Sequence, residues 1–156
     1  MAIALVGGTG KEGRGLAGRW ARAGHRIVLG SRVAQRAYSH ADELTAACGF
    51  HIDGAELIHA VRVADVVVIS VPYAAHSQTL AALRDELAGR IVIDVTVPLR
   101  PPRVREVFVP PRGSAALEAR DLLGGHARLA AALHHISAAH LADLARDIDS
   151  DGLVCA

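Results

Sequence analysis

The chain has 156 residues, of which 51% are hydrophobic and 21% are charged. This is enough for one domain with its own core over residues 1–156, and it excludes a disordered or fibrous protein. The 17 basic and 16 acidic residues nearly cancel and only 3% of residues are aromatic, which argues against nucleic-acid binding. No apolar run approaches the roughly 20 residues of a membrane span, the N-terminus is not a signal peptide, and two distant cysteines predict no disulfide framework. We therefore expect a cytoplasmic protein.

Short apolar runs alternate with longer segments of helical periodicity. The predicted strands are Ala2 to Val6, Arg26 to Leu29, Asp65 to Val71, Arg90 to Val95 and Ala131 to Ile136, with the start of another at Gly152 to Ala156. The predicted helices are Gly15 to Ala23, Val33 to Cys48, Ala74 to Ala88, Ser114 to Leu123 and Ala138 to Asp147, with Gly24, Gly49 and Gly89 as helix-ending glycines. The alternation predicts an α/β fold of the Rossmann type, a doubly wound and mainly parallel sheet with helices on both faces.

A glycine-rich loop follows the first predicted strand. The run 7–13 reads GGTGKEG, in which Gly8, Gly10 and Gly13 match the G-x-G-x-x-G pattern at a strand-to-helix junction. In this pattern the first glycine permits a tight turn, the second lets the backbone approach a pyrophosphate, and the third lets the helix pack closely on the sheet. A P-loop would need Ser or Thr directly after its lysine, and that position is Glu12. The loop therefore predicts dinucleotide binding and argues against hydrolysis of nucleoside triphosphates.

The end of the second predicted strand indicates which dinucleotide binds. An NAD-binding protein places Asp or Glu there, roughly 20 residues beyond the loop, to bind the ribose hydroxyls. In this sequence the position reads Gly30-Ser31-Arg32, and Arg36 shares a helix face with Arg32. Two cations at a helix N-terminus oppose the helix dipole, so an anionic ligand is the better explanation for them. The 2′-phosphate of NADP fits, and we expect Ser31, Arg32 and Arg36 to bind it.

Several segments together resemble one family. They are GGTG, AGH and GSR within 7–37, SVPYAAH at 70–76, VTVP at 95–98 and ALHHISAA at 132–139. This combination resembles the NADP-dependent reductases of the deazaflavin coenzyme F420, the F420:NADP oxidoreductases, over nearly the whole chain. Members of that family continue beyond a strand resembling Leu153 to Ala156 into further helices that this sequence lacks. NADP binding is expected to survive that difference better than the deazaflavin site.

The resemblance implies hydride transfer between carbon 4 of the nicotinamide and carbon 5 of the deazaflavin, with the two rings stacked in one cleft. Carried over by position, the expected cofactor-binding residues are Gly8, Thr9, Gly10, Lys11, Glu12, Gly13, Ser31, Arg32, Arg36, Val71, Pro72, His76 and Ala138. The expected deazaflavin contacts are Val97, Pro98, His134, Ile136 and Ser137. Both coenzymes bring their own reacting carbons, so the protein is expected to supply positioning and exclusion of water.

The histidines raise two further hypotheses. His134, His135 and His140 are the densest cluster, but adjacent residues of a strand point to opposite faces, so we expect no metal site. His76 follows the carboxyl end of a predicted strand, where α/β proteins bind ligands. It could contact the nicotinamide or donate a proton, or it could be an ordinary histidine in the first turn of a helix. It is the one catalytic candidate.

The segment 97–113 holds five of the six prolines and four arginines, Arg100, Arg103, Arg105 and Arg112, against one acid, Glu106. It could attract an anionic substrate such as the phosphate-bearing and glutamate-bearing deazaflavin coenzyme, or it could be a solvated connection. Its prolines exclude a regular helix.

Two other functions stay open on the sequence alone. One is an NADPH-binding Rossmann module without catalysis, and the other is a reductase of a small carbonyl or imine substrate. The last apolar strand has no covering helix after it, which favours a homodimer or another partner.

Overall fold

The computed structural model describes residues 1–103, 106, 108–148 and 154–155. The strands are β1 Ala2–Val6, β2 Arg26–Ser31, β3 Ile52–Glu56, β4 Val66–Ile69, β5 Ile91–Asp94, β6 Arg128–Ala132 and β7 Val154–Cys155. The helices are α1 Lys11–Arg22, α2 Ala34–Cys48, α3 Leu57–Arg62, α4 Tyr73–Leu83, α5 Ala115–Leu123 and α6 Ala138–Ala142. No helix in these described ranges is long and apolar enough to cross a membrane.

All seven strands form one sheet in the order β3-β2-β1-β4-β5-β6-β7. The first six are parallel, and β7 pairs antiparallel with β6. The strand order reverses between β1 and β4, because the chain moves outward from β1 to β3 and then returns to the other side of β1. This reversal opens a crevice at the carboxyl ends of the strands, where α/β folds bind ligands. The predicted Rossmann-type, mainly parallel sheet is confirmed.

The helices cover both faces of the sheet. Along β1, Ala4 and Val6 belong to one buried cluster with Leu80, Leu83 and Leu123 from α4 and α5. Ile3 and Leu5 belong to the opposite cluster, which includes Leu16, Leu44 and Leu141 from α1, α2 and α6. Strands buried on both faces need apolar side chains at every position, which is why β1 and β4 read as continuous apolar runs.

The segment that contains α6 is tied to α1. Arg19 donates hydrogen bonds to the backbone oxygens of Leu141, His140, Asp143 and Arg146 over distances of 2.6–3.0 Å. The helices also approach closely, because a Cβ atom built on Gly15 would lie 2.5 Å from the Cβ of Leu141. One arginine and one glycine of α1 therefore position α6 and the segment after it.

The predicted strand over 131–136 is wrong in position. The strand β6 ends at Ala132, and Leu133 adopts a φ of 66°, a left-handed conformation that an extended strand does not contain. The amide of Ile136 then donates to the oxygen of Leu133 at 3.2 Å, which closes a turn. His134 and His135 therefore lie in a turn, so the alternation of side chains along a strand does not point them to opposite faces.

Two predicted helices are too long, and two elements are absent from the prediction. The helix α4 ends at Leu83 and α6 at Ala142, where Asp143 is already extended. The strand β3 and the helix α3 were not predicted. In β3 only two of the five residues are buried, and its polar and glycine positions hide the pattern of a strand. The predicted strand over 152–156 is observed as β7, and its remaining positions lie outside the described residues.

Candidate functional site: a cleft at the carboxyl ends of the strands

A cleft of about 780 Å³ lies at the carboxyl ends of β1, β2, β4, β5 and β6. Its wall contains the glycine loop, the end of β2, the loops after β4 and β5, and the turn after β6. Eleven of the predicted site residues line it, namely Thr9, Gly10, Lys11, Glu12, Ser31, Arg32, Arg36, Val71, Pro72, Val97 and His134. The topology thus brings together segments that are more than 120 positions apart in the sequence.

The glycine loop is shaped by close backbone contacts. The left-handed residue of the turn is Gly7, with a φ of 81°, and not Gly8, to which the sequence pattern assigns the turn. Gly8 is required by packing instead, because a Cβ atom there would lie 2.8 Å from the Cβ of Leu5. A Cβ atom on Gly13 would lie 2.6 Å from the Cα of Gly8, so these two glycines let α1 approach the end of β1. This confirms the packing expected of the third glycine.

Gly10 has the opposite environment. A Cβ atom built there would meet only the oxygen of Gly7, at 3.5 Å, within van der Waals contact distance. Gly10 is the N-cap of α1, and no side chain caps this helix. The first amides of a helix have no acceptor within the helix, so those of α1 are available to an anion in the cleft. The loop fits a pyrophosphate.

Glu12 brings a negative charge to the same place. Its side chain lines the cleft in the first turn of α1, beside Lys11. Burial raises the pKa of the Glu12 carboxyl above its ordinary value. A bound phosphate would oppose the ionised carboxylate, so Glu12 is expected to weaken, and not to strengthen, binding of a phosphate in this loop.

Two arginines beside the end of β2 reach the cleft, Arg32 directly after the strand and Arg36 in the first turn of α2. Arg32 and Arg36 line the cleft, and neither has a salt-bridge partner among residues 1–103, 106 and 108–148. The Ser31 hydroxyl oxygen accepts the amide of Val33 at 3.2 Å, which leaves its hydrogen to donate into the cleft. The carboxylate at the end of the next strand, Glu56, accepts the amides of Ile58 and His59 and caps α3. Ribose hydroxyls would need a carboxylate, and Glu56 is already used to cap α3. The two arginines therefore make the site fit a phosphate better.

The floor of the cleft is built from the loops after β4 and β5. The Ser70 hydroxyl donates to the oxygen of Val6 at 3.0 Å, which ties the end of β4 to the end of β1. Val71, Pro72 and Val97 line the floor. Pro98 adjoins them in sequence without lining the cleft. The floor is thus mostly apolar, and a hydrogen bond joins it to the sheet.

His76 lies behind this floor. It is in the first turns of α4 and its side chain has no exposed surface. Its Nε2 is 2.8 Å from a carboxylate oxygen of Asp94, which is equally buried. The imidazole does not line the cleft, and its Nδ1 has no hydrogen-bond partner among the described residues.

The turn after β6 contributes Leu133 and His134 to the cleft. The other residues predicted for this segment lie outside the lining. Ile136 is part of the core at 8% exposure, the Ser137 hydroxyl accepts the amide of Ala139 as the N-cap of α6, and Ala138 begins that helix. Of the three nearby histidines only His134 faces the cleft, and within the described ranges no group of His, Cys, Asp and Glu could hold a metal ion.

An aromatic cluster that was not predicted from the sequence lies at the cleft wall. Tyr73 lines the cleft and donates its hydroxyl to Glu118 at 3.0 Å, and its ring centroid lies 5.9 Å from that of Phe108. The guanidinium of Arg100 lies over the Phe108 ring, 3.3 Å from its centroid. Burial, followed by the contact with Glu118, raises the pKa of the Tyr73 hydroxyl. The conspicuous Val-Pro-Tyr sequence could have pointed to Tyr73, but two of its partners, Phe108 and Glu118, are 35 and 45 positions away.

The arginines of the segment 97–113 mostly have local partners. Arg100 contacts Phe108, Arg103 lies 3.6 Å from Glu106, and Arg112 pairs with Asp121. Arg105 lies outside the described residues. Leu99 and Pro101 of the same segment line the cleft, so the segment reaches the site through apolar side chains.

Comparison with known proteins places these features in a family. The family model described as NADP oxidoreductase, coenzyme F420-dependent, matches residues 2–98. The F420-dependent NADP reductase of Methanothermobacter thermautotrophicus is 38% identical over 161 residues, which cover 99% of this chain and 69% of that protein. The reductase of the same name from Methanocaldococcus jannaschii is 36% identical over 166 residues, covering 99% and 72% respectively.

Solved structures share the fold. A structure described as an F420-dependent NADP reductase from Arthrobacter sp. FB24 aligns with a TM-score of 0.75 at 24% identity, covering 90% of this chain and 66% of that one. The imine reductase of Bacillus cereus aligns with a TM-score of 0.65 at 18% identity, covering 89% and 42%. At these identities the structures establish the fold alone. The sequence matches establish the family, and this chain belongs to the coenzyme F420-dependent NADP oxidoreductases.

Proposed function

We propose that the protein transfers a hydride between NADP(H) and the deazaflavin coenzyme F420. The observation that carries the proposal is the pair Arg32 and Arg36, which line the cleft beside the glycine loop at the strand end where an NAD-binding protein has a carboxylate. The names of the relatives supply the second coenzyme, because they are F420-dependent NADP reductases at 36–38% identity.

The nucleotide is proposed to lie across the switch point of the sheet. The backbone of the glycine loop, from Gly8 to Gly13 and including Thr9, Gly10, Lys11 and Glu12, would hold the pyrophosphate. Ser31, Arg32 and Arg36 would hold the 2′-phosphate, since charge-assisted hydrogen bonds from arginine suit that group. Val71 and Pro72 would then face the nicotinamide, and Ala138, which does not line the cleft, would contact it only at an edge.

The deazaflavin is proposed to occupy the remaining half of the cleft. Val97 and His134 line that half. Pro98, Ile136 and Ser137 adjoin it and would contact the coenzyme only at its edges. The apolar side chains of Leu99 and Pro101 add to the wall, and an apolar wall suits a planar ring while excluding water.

The chain's own contribution to the reaction is geometry. The two coenzymes supply the hydride donor and acceptor carbons, and solvent can supply the proton that the reduced deazaflavin also takes up, so the transfer needs positioning more than a side-chain acid. The phosphate loop and the two arginines anchor one end of the nucleotide, and the apolar floor holds the other end and keeps water out. Such fixed placement of two reactants can supply much of a rate enhancement, on the order of 7–11 kcal/mol of the barrier in well-oriented systems.

We also propose that the protein is a cytoplasmic homodimer. Support for association comes from the exposed end of the sheet, where the β6 side chains Leu129, Ala130 and Ala131 are only partly buried and α6 has five residues. Sedimentation of the purified chain would test this part, with a mass of twice 16.3 kDa expected.

Isotope transfer tests the proposed reaction. Oxidised F420 is incubated with the protein and NADPH that carries deuterium at the transferred position, and the mass of reduced F420 is determined. Direct transfer predicts one deuterium in the product, and unlabelled NADPH in heavy water is the control that should give none at that carbon. Hydrogen derived from solvent in the labelled reaction, or an NADPH-bound protein that never turns over, would contradict the proposal. The second result would favour a binding module without catalysis.

A further inference from the structure

Four residues join the two loops of the cleft floor into a closed ring. The Thr96 hydroxyl donates to the oxygen of Val71 at 3.4 Å, and the Thr96 amide donates to one carboxylate oxygen of Asp94 at 3.0 Å. The other oxygen of Asp94 lies 2.8 Å from Nε2 of His76. Only Pro72 and the first turn of α4 separate His76 from Val71 along the chain, so the hydrogen bonds and the backbone together close the ring.

The ring is buried on the side away from the cleft. His76 and Asp94 are 0% exposed and Thr96 is 3% exposed. A buried carboxylate is costly unless its oxygens are satisfied, and here both oxygens have a partner. An arrangement of this kind is held in one geometry, because moving any member leaves a buried polar atom unpaired.

The ring also fixes the tautomer of His76. The Asp94 carboxylate only accepts hydrogen bonds, so Nε2 of His76 carries the hydrogen and Nδ1 presents a lone pair. Nδ1 has no hydrogen-bond partner among the described residues. The imidazole is thus held through Nε2, which suits His76 to fixing the position of Asp94.

The cleft side of the ring is the part that would meet a ligand. Thr96 and Val71 both line the cleft, and Pro72 and Val97, their neighbours in sequence, line it as well. The position of the ring therefore sets the separation between the loop after β4 and the loop after β5. Those two loops form the floor on which the two planar coenzymes are proposed to meet.

We propose that the ring of Val71, Thr96, Asp94 and His76 fixes the floor of the cleft and thereby sets the placement of the nicotinamide for hydride transfer, with His76 and Asp94 as positioning residues that do not touch the coenzymes. This inference rests on the proposed function. It differs from the expectation that His76 contacts the nicotinamide, because the imidazole acts here through Asp94 and Thr96.

The test uses Thr96→Val, which removes one hydroxyl with little change of shape and keeps the amide bond to Asp94. The matched control is Thr45→Val at the far end of α2, where the hydroxyl oxygen accepts the amide of Ile52 at 3.0 Å. Each variant is examined for its melting temperature, its affinity for NADPH, the fluorescence emission of the bound reduced nicotinamide, and kcat with F420. The fluorescence reports on the placement of the ring without requiring turnover.

For Thr96→Val we expect altered emission of bound NADPH and a kcat about tenfold lower, because small misplacements of reacting groups have large effects on rate. The Kd of NADPH should stay within about threefold, since phosphate contacts supply much of the nucleotide's affinity. Thr45→Val should lower the melting temperature and leave emission and kcat unchanged. Unchanged emission and kcat in Thr96→Val would overturn the proposal, and so would losses that merely follow the melting temperature in both variants.

His76→Leu and His76→Gln provide the second comparison. The Gln side chain can donate to Asp94 and should preserve most of the wild-type emission and kcat, whereas Leu cannot. If both variants fold and have the same emission and the same kcat, a positioning role for His76 is contradicted. If His76→Leu does not fold, the result for Thr96→Val decides the question. A wild type that binds NADPH without reducing F420 would refute the proposed function, while the emission of Thr96→Val would still decide whether the ring places the nicotinamide. A wild type that does not bind NADPH would overturn both.

Discussion

Gly13 approaches Gly8 so closely that a Cβ atom on Gly13 would lie 2.6 Å from the Cα of Gly8. The contact is between backbones, so no side-chain rotation can relieve it. It joins the first turn of α1 to the end of β1, and it directs the free amides of α1 into the cleft. A Cβ atom on Gly10, two residues from Gly8, would make only an ordinary van der Waals contact with the oxygen of Gly7. The same motif therefore contains one glycine that the fold requires and one whose position is open to a ligand.

Alanine substitutions should separate these two roles. We expect Gly13→Ala to lower the free energy of unfolding by about 1–3 kcal/mol, the range typical of overpacking, and to abolish NADPH binding. Gly10→Ala should leave the melting temperature nearly unchanged and weaken NADPH binding, because its Cβ atom would occupy space that the pyrophosphate needs. Thermal unfolding and fluorescence titration measure both effects. A stable Gly13→Ala protein, or a Gly10→Ala protein with wild-type affinity, would show that the loop works differently.

The two arginines at the end of β2 should determine the choice of cofactor. We expect Arg32→Ala to weaken NADPH binding about ten- to a hundredfold, equivalent to one charge-assisted hydrogen bond, with little change for NADH. The control is Arg26→Ala at the opposite end of the same strand, where the side chain pairs with Asp53 on the surface. It should affect neither cofactor. Parallel losses of NADH and NADPH affinity in Arg32→Ala would argue against a 2′-phosphate site.

Glu12 should make nucleotide binding depend on pH. Burial raises the pKa of Glu12, so the folded protein favours the protonated form more than the unfolded chain does. Compared with Glu12→Gln, the wild-type protein therefore has its full stability below the ordinary pKa of a glutamate. It loses stability as the pH rises through the raised pKa, because the buried carboxyl then ionises. The carboxylate formed there also opposes the pyrophosphate. At neutral pH we therefore expect Glu12→Gln to bind NADP about two- to tenfold more tightly.

The same titration carried out between pH 4 and pH 8 checks the sign. The ratio of the two proteins' affinities for NADP should approach one at low pH and grow as the pH rises, and the ratio cancels the ionisation of the nucleotide's own phosphate. A ratio that stays constant over this range would contradict a repulsion between the Glu12 carboxylate and the pyrophosphate. Weaker binding by the Gln variant at neutral pH would contradict it as well.

Arg100 should matter for the deazaflavin half of the cleft. Its guanidinium lies over Phe108, which packs on Tyr73, so Arg100→Ala loosens the segment that carries Leu99 and Pro101. We expect the KM for F420 to rise about three- to tenfold, since a cation–π contact is worth about 0.5–2 kcal/mol, while the Kd of NADPH is unchanged. Arg103→Ala, which removes an exposed pair with Glu106, is the control and should have little effect. Equal increases of KM in both variants would favour general attraction of an anionic coenzyme.

Much of the nucleotide half was accessible from sequence because its signals are local. The glycine loop, Ser31, Arg32 and Arg36 lie between β1 and the first turn of α2, and all but Gly8 and Gly13, which shape the loop from behind, line the cleft. The edge strand β3 was missed because an edge needs few buried side chains, and its surface carries the Arg26, His51 and Asp53 ion network instead.

The rest of the site depends on long-range contacts that no local pattern encodes. The end of β6 was placed four residues too late because the apolar composition continues through Leu133 and Ile136, while the backbone turns at the left-handed Leu133. The burial of His76 follows from Asp94, 18 positions away, and the place of Tyr73 follows from Glu118, 45 positions away. Such pairings depend on the strand order, which is a property of the whole sheet.

The most direct test mixes the purified chain with NADPH and oxidised coenzyme F420 and follows the loss of the deazaflavin's visible absorbance, with NADH in a parallel reaction. We predict NADPH-dependent reduction of F420 and little or none with NADH, because the cleft offers cations and no carboxylate at the end of β2. Equal rates with both nucleotides would contradict the phosphate site, and absence of any reduction by a folded, NADPH-bound protein would contradict the proposed reaction.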